Sequence, residues 1–181
     1  MVELLYARIS SKRLGILIGT EGRTKKKLEE LSGVKIFVDS SSGEVTIDEA
    51  SCEDPTMGLK AKDVVQAMGR GFSDEEAMKL LEEDAFLRIF DIKDFAHSRS
   101  RIMELKGRVI GTHGKTRRLI GELTGTSVSI YGHTVSIIGS TVQLDVSCRA
   151  VEMLLTGSEH ASVYRYLERM RPRLSVEGMG F

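Results

Sequence analysis

Two short turns carry the chemistry of this chain: Ile18-Gly19-Thr20-Glu21-Gly22 and, ninety-two positions later, Ile110-Gly111-Thr112-His113-Gly114. Each opens onto a run of cations, Arg23, Lys25, Lys26 and Lys27 after the first and Lys115, Arg117 and Arg118 after the second. Glycines at the start of a helix let a polyanion approach the main chain, where the first helical amides lack a partner within the helix. The pattern predicts anion binding, performed twice. Glu21 places a carboxylate where His113 stands in the second copy, and a carboxylate repels a phosphate. An imidazole instead gains charge as the pH falls. The second turn is therefore expected to hold an anion harder; the alternative is that Glu21 points to solvent and leaves the two turns equivalent.

Loops of this kind also serve nucleotides. A Walker loop needs a glycine five positions ahead of its Gly-Lys-Thr, and Val109 and Leu17 occupy that place in the two copies. Nucleotide hydrolysis is not expected. His97, His133 and His160 are scattered, and Cys52 and Cys148 offer neither a disulfide framework nor metal-ligand spacing. Cys148 reads as a small core residue. No set of nucleophile, base and orienting group is visible. The expectation is a binding protein with no catalytic residue, no metal and no cofactor.

The elements that must position the turns repeat with them. Gly15 matches Gly107, Thr24 matches Thr116, Glu30 matches Glu122 and Gly33 matches Gly125, all at one offset. A strand is expected over 2–9, then a short helix opened by Ser10 leading into the first turn. The basic helix runs over 24–31 with Leu28 and Leu31 on its inner face, and Gly33 ends it. Strands over 34–38 and 44–47 flank a Ser40-to-Gly43 hairpin, and a helix over 55–68 follows. Ser73 caps a further helix to about Glu83. The second half repeats the order: a strand over 86–92, a lead-in helix over 99–105 and a basic helix over 116–123. A tight hairpin around Gly132-His133 comes next, then a helix over 142–155 with apolar Val142, Val146, Ala150 and Met153. A last helix ends at Met170, and a mobile tail runs over 172–181. Asp94 to Ser98 has no counterpart in the first half and reads as a longer connection.

Composition fits this division. The chain has 181 residues, with 26 Lys and Arg against 26 Asp and Glu, so its formal net charge is zero. A neutral total still hides basic faces, because the cations gather at the turns and the acids elsewhere, as over 74–76 and 82–84. Arg165, Arg169, Arg171 and Arg173 form a further basic group that either extends an anion track or merely solvates the last helix. Two domains are predicted, 1–84 and 85–181, the second including the last helix and tail. The amino terminus lacks a basic-then-apolar signal and no stretch approaches the ~20 apolar residues of a membrane span. With two cysteines, the prediction is a cytoplasmic protein.

The order strand, helix, Gly-x-x-Gly, helix, strand, strand, helix resembles the KH RNA-binding module in its type I arrangement. The resemblance rests on Leu17 to Gly22 with the strand Val34-Lys35-Ile36-Phe37-Val38, and on Val109 to Gly114 with Ser127 to Ile130. It implies an α+β fold of two tandem type I KH domains, each a three-stranded sheet against helices, with an extra helix after each. KH modules clamp about four nucleotides at this loop. The implied RNA contacts are Ile18, Gly19, Thr20, Glu21, Gly22, Arg23, Lys25, Lys26 and Ile36 in the first unit. In the second they are Arg108, Ile110, Gly111, Thr112, His113, Gly114, Lys115, Arg117, Arg118 and Val128. Ile18 with Ile36, and Ile110 with Val128, would floor the two grooves. With no Trp, an aromatic stacking platform is not expected.

The whole chain is similar to the archaeal and eukaryotic two-KH ribosome-assembly factors, whose eukaryotic member is called partner of the site-D endonuclease. That similarity rests on the tandem spacing, on Gly69-Arg70-Gly71-Phe72-Ser73 and on Leu87-Arg88-Ile89-Phe90-Asp91-Ile92. It implies binding of single-stranded RNA near the 3′ end of small-subunit rRNA, with the maturing endonuclease and other assembly or translation factors as partners. Eukaryotic members have lost the Gly-x-x-Gly of the first unit, whereas Gly19 and Gly22 are intact here, which resembles the archaeal form. The alternatives are a sister family of small-subunit assembly factors with a similar KH pair, or a general RNA-binding or protein-scaffold module.

Overall fold

A computed structural model describes residues 4–178. The chain divides into two compact units, the first ending at Ala85 and the second beginning at Phe86.

In the first unit, β1 (Leu4–Arg8) leads to α1 (Ser11–Ile18), the glycine turn and α2 (Arg23–Ser32). Then come β2 (Lys35–Asp39), β3 (Glu44–Asp48), α3 (Pro55–Gly69) and α4 (Asp74–Met78). The sheet order is β1-β3-β2, antiparallel throughout, with Tyr6, Thr46 and Phe37 in one row. Its core gathers Leu17, Leu28, Ile36, Ile47, Met68 and Phe72, all buried. The inner face of α2 is Thr24, Leu28 and Ser32, spaced four apart. Leu31 stands on the outside with 54% of its surface exposed. A residue three positions from Leu28 can share its face, but here the i±4 ridge of α2 meets the core and turns Leu31 outward. Ser10 precedes α1 without a side-chain cap bond. Ser73 does cap α4, in a reciprocal bond with Glu76, and this helix closes early in a 3-10 turn over Lys79–Leu81.

The second unit contains β4 (Phe86–Asp91), α5 (Arg99–Ile110), α6 (Lys115–Thr124), β5 (Ser127–Tyr131), β6 (Thr134–Gly139), α7 (Thr141–Leu155) and α8 (His160–Gly178). Its sheet order, β4-β6-β5, matches that of the first. The lead-in helix α5 does not stop at Leu105 but continues to the glycine turn, because Leu105 and Val109 both face the core. The 94–98 connection folds onto its own unit. Asp91 accepts from the Lys93 amide and from His133 Nδ1, each at 2.9 Å, and Ala96 is buried. Burial alone would raise the Asp91 carboxyl, but the Lys93 amide and His133 outweigh it and hold it low. Along α7 the inner residues are Leu144, Val146, Ala150, Val151 and Leu154, with Val142 and Met153 only half-buried. Cys148 is half-buried against this core, and burial pushes its thiol up to about 11.

The last helix overruns Met170 and continues through Pro172 to Gly178. Proline removes one helical hydrogen bond, yet Leu174 packs on the core and Arg173 pairs with Asp145 of α7 at 3.4 Å. Those tertiary contacts carry the helix past the break. The remainder of the expected tail, 179–181, lies outside the described residues. Among the described residues no helix is long and apolar enough to cross a membrane.

Ser40 to Gly43, between β2 and β3, is held by one carboxylate. Asp39 accepts from the Ser41 amide and hydroxyl at 2.9 and 2.6 Å and from the Ser42 hydroxyl at 2.8 Å. The Ser41 and Ser42 hydroxyls lower its pKa from 3.8 to about 2. A carboxyl depressed on folding stabilises the loop above its unfolded value and loses that contribution as pH falls through the folded one. The loop should therefore stay locked above about pH 4 and loosen only towards pH 2. An NMR titration should show the Asp39 carboxyl and the Ser41 and Ser42 amides moving together with that low midpoint. A midpoint at the ordinary carboxyl value would refute the lock.

Candidate nucleic-acid interface

The two glycine turns share one backbone conformation. Gly19 sits at φ 74°, ψ 175° and Gly111 at φ 74°, ψ 173°; Gly22 and Gly114 sit at φ 75° with ψ 14° and 13°. Between them Glu21 and His113 adopt φ 55° and 53°, the only non-glycine residues with positive φ among those described. The first and second glycines are needed for different reasons. A Cβ on Gly19 would lie 2.3 Å from Thr24 Oγ1, and one on Gly111 would lie 2.2 Å from Thr116 Oγ1. A Cβ on Gly22 or Gly114 would meet nothing within 4 Å. The first glycine thus lets the turn close on its own helix, and the second leaves an open face.

That open face leads to helix starts without a side-chain cap. Asp54, Ser73, Ser98 and Ser140 cap α3, α4, α5 and α7, whereas Gly22 and Gly114 offer α2 and α6 no side-chain acceptor. The second glycine's own amide is not free. It donates to the carbonyl of the first at 3.2 Å in both turns, and the next amide, of Arg23 or Lys115, donates to Thr20 or Thr112. The next two amides in each helix belong to Thr24 and Lys25 and to Thr116 and Arg117; Thr24 and Thr116 are buried behind the first glycine, and the helix dipole at this end favours negative charge.

The cations divide into three groups. Arg23, Lys26, Lys115 and Arg118 are exposed beside the turns. Lys25 and Arg117 correspond but are held differently: Lys25 Nζ bonds Glu29 of its own helix at 3.1 Å, and Glu29 in turn accepts the Ile36 amide of the neighbouring strand at 2.8 Å, whereas Arg117 Nη1 itself donates to the Val128 carbonyl at 3.2 Å. Arg108, expected to contact RNA, is half-buried and ties α5 to the end of α7 instead, donating to the Leu154 carbonyl at 3.1 Å and to that of Ser158. Arg13 does the same in the first unit, bonding the Met68 and Phe72 carbonyls at 2.8 and 2.7 Å. Nothing in spacing separates a structural arginine from a binding one, because both lie on the same basic stretch.

The apolar floor also differs from expectation. Ile36 is 1% and Val128 6% exposed, because the strand's alternation points them into the core. They support the groove from beneath, and Ile18 and Ile110 are the half-exposed apolar residues beside the turns.

Three carboxylates crowd the first loop. Glu21 pairs with Arg23 at 3.5 Å, Glu29 holds Lys25, and Asp74 lies 3.5 Å from Thr24 Oγ1. In the second unit those places hold His113, Gly121 and the first turn of α8. There Thr116 Oγ1 bonds the Tyr164 hydroxyl at 2.8 Å and His160 Nε2 meets the Arg108 carbonyl at 2.9 Å. An open cleft of about 460 Å³ runs along this side of the turn, its lining including Lys115, Thr116, His160 and Tyr164. Sequence reading missed Glu29, Asp74 and Tyr164. The ninety-two-residue offset fails beyond the hairpins, so Asp74 and His160, which open α4 and α8, do not line up at it. Among the described residues no three His, Cys, Asp or Glu side chains group as metal ligands.

Two antiparallel three-stranded sheets, each with a Gly-x-x-Gly turn between its first two helices, define a tandem KH protein. Residues 86–172 match the model of the eukaryotic type KH domain, KH-domain type I, and residues 6–66 match the KH domain model. The chain belongs to the archaeal and eukaryotic family of two-KH ribosome-assembly factors. It is 45% identical over 174 residues to a KH domain-containing protein of Methanocaldococcus jannaschii, covering 96% of this chain and 75% of that one. It is 33% identical to RNA-binding protein pno-1 of Caenorhabditis briggsae over 68% of this chain, and spans about half the length of that relative (46%). Among solved structures, it resembles Dim2p of Pyrococcus horikoshii, with TM-score 0.85 and 45% identity over 92% of this chain and 99% of that one. It also resembles the matching chain in the a/eIF2alpha–aDim2p–rRNA complex from the same organism, with TM-score 0.88 and 43% identity over 95% and 96%.

Proposed function

We propose that this protein binds single-stranded RNA near the 3′ end of small-subunit rRNA during ribosome biogenesis, with the second unit supplying the stronger grip. The observation that carries the reading is the pair of matched turns at uncapped, cation-flanked helix starts, in a chain 43% identical to a protein crystallised with rRNA. A phosphate at the open face of Gly22 or Gly114 meets the positive end of the helix dipole. Arg23 and Lys26, or Lys115 and Arg118, supply the surrounding positive charge. Lys25 and Arg117 lie where bases leave the backbone, and Ile18 and Ile110 give those bases an apolar contact. Thr20, Glu21, Thr112 and His113 form the outer rim.

Relatives bear names such as pre-rRNA-processing protein. On that footing the RNA is held for maturation by an endonuclease and by other assembly or translation factors in the cytoplasm, and the protein itself positions and does not cleave.

Salt dependence tests the electrostatic core of this reading. For a single strand, log affinity should fall against log salt by about 0.7 per phosphate neutralised. With about four nucleotides clamped per loop, one occupied groove gives a slope of roughly −3 and two give about double. Affinity for a small-subunit 3′-end oligonucleotide that does not change with salt would remove the basis for phosphate clamping.

A further inference from the structure

Between α7 and α8 lies an open cleft of about 440 Å³ lined by Arg149, Met153, Ser162, Arg165, Tyr166 and Arg169. It is not part of the loop site. Tyr164 faces α6 through Thr116, and one residue turns a helix by about 100°. Arg165 and Arg169 therefore point about 100–140° away from the side of α8 that meets the glycine turn.

The arginines of α8 are not alike. Arg171 pairs with Glu168 at 3.7 Å and Arg173 with Asp145 at 3.4 Å, while Arg149 across the cleft pairs with Glu152 at 3.0 Å. Arg165 and Arg169 form no ion pair among the described residues. Arg165 only reaches the Ser162 hydroxyl at 3.4 Å, and Arg169 lies 5.8 Å over the Tyr166 ring. Like charges four apart on a helix destabilise it, and no carboxylate among the described residues pairs with Arg165 or Arg169, the nearby Glu152, Glu168 and Asp145 being engaged by Arg149, Arg171 and Arg173. Two planar guanidinium groups at one helical turn's spacing, with a third across the cleft, match successive phosphates of a nucleic-acid backbone. The open form suits a strand crossing the surface better than an enclosed small anion.

We propose that this arginine cleft is a second RNA contact, holding the sugar–phosphate backbone of a segment distinct from the single strand clamped at the loops. The proposal rests on the RNA-binding reading above and extends it to structured RNA. A strand of about four nucleotides fills one loop groove and does not reach round α8, so the cleft engages a neighbouring part of a longer RNA.

The test compares a stem-loop carrying a single-stranded 3′ tail with the tail alone. Arg165→Gln/Arg169→Gln, both exposed and outside the core, should weaken binding of the stem-loop RNA by about tenfold or more and lower its salt slope by roughly two. Affinity for the tail alone should be unchanged. Equal losses on both RNAs, or no loss on either, would overturn the proposal. So would a variant that keeps the stem-loop RNA but loses a phosphoserine peptide bound by the parent, since the cleft would then serve a protein partner. Gly114→Asp is the separate control: retained tail binding in that variant defeats the loop reading while leaving the cleft result to stand on its own.

Discussion

Gly114→Asp is expected to weaken capture of a single-stranded rRNA 3′-end oligonucleotide by about ten- to a hundredfold, and Gly22→Asp by distinctly less. The substitution puts a carboxylate on the open face where a phosphate would sit, forfeiting one or two charged hydrogen bonds worth about 1.5–3 kcal/mol each. It does so without a clash, because a Cβ there meets nothing within 4 Å. The φ of 75° with ψ of 13° is a left-handed conformation that aspartate tolerates. The inequality between units follows from charge. The first loop already carries Glu21, and Glu29 and Asp74 stand close behind it, so it contributes less to begin with. In the second unit Arg117 forms no ion pair among the described residues, and its equivalent Lys25 is held by Glu29. Fluorescence anisotropy with one labelled oligonucleotide decides the matter. Equal losses in the two variants would abolish the ranking, and no loss in either would remove the loops from the RNA site.

Gly111→Ala should lower stability, not merely binding, by roughly 2–5 kcal/mol. For a unit of this size that is a fall of at least about 10 °C in its melting temperature. At φ 74° and ψ 173° the backbone occupies a region essentially restricted to glycine. The added methyl would also lie 2.2 Å from Thr116 Oγ1 and 2.7 Å from the Thr116 amide nitrogen. Adding Thr116→Ala removes the hydroxyl clash but not the main-chain one, so recovery should be partial. Gly114→Ala, with open space around it, should cost only the left-handed backbone strain of about 1–2 kcal/mol. A melting temperature for Gly111→Ala equal to the parent's would show that the turn does not close on Thr116. The contrast bears on design: replacing both glycines of a turn mixes unfolding with lost binding, and only the second glycine reports on RNA.

Much of this architecture was legible in the residues because the signals were local. The Gly-x-x-Gly turns, the Gly33 and Gly125 helix ends and the Ser73 cap each depend on a few neighbouring residues, and each was found in place. The repeat reinforced them, since one reading could be checked against its copy. Leu31 lies outside the core because a pair three apart, Leu28 and Leu31, does not fix which ridge of α2 faces inward. The last helix runs past its proline because that break is local, whereas Leu174 and the Arg173–Asp145 pair that carry the helix onward are tertiary.

Backbone freedom and charge are properties of residues in order, so the two glycine turns and the cations around them could be read from the chain alone. Which of those residues face outward was settled by packing between elements. It buried Ile36 and Val128, turned Arg108 onto carbonyls of its own unit and set carboxylates behind one loop but a tyrosine and a histidine behind the other. It also gathered Arg149, Arg165 and Arg169 from two helices into one cleft. The physical reason is that burial and charge pairing arise between elements far apart in the chain, where neither composition nor spacing fixes the partner.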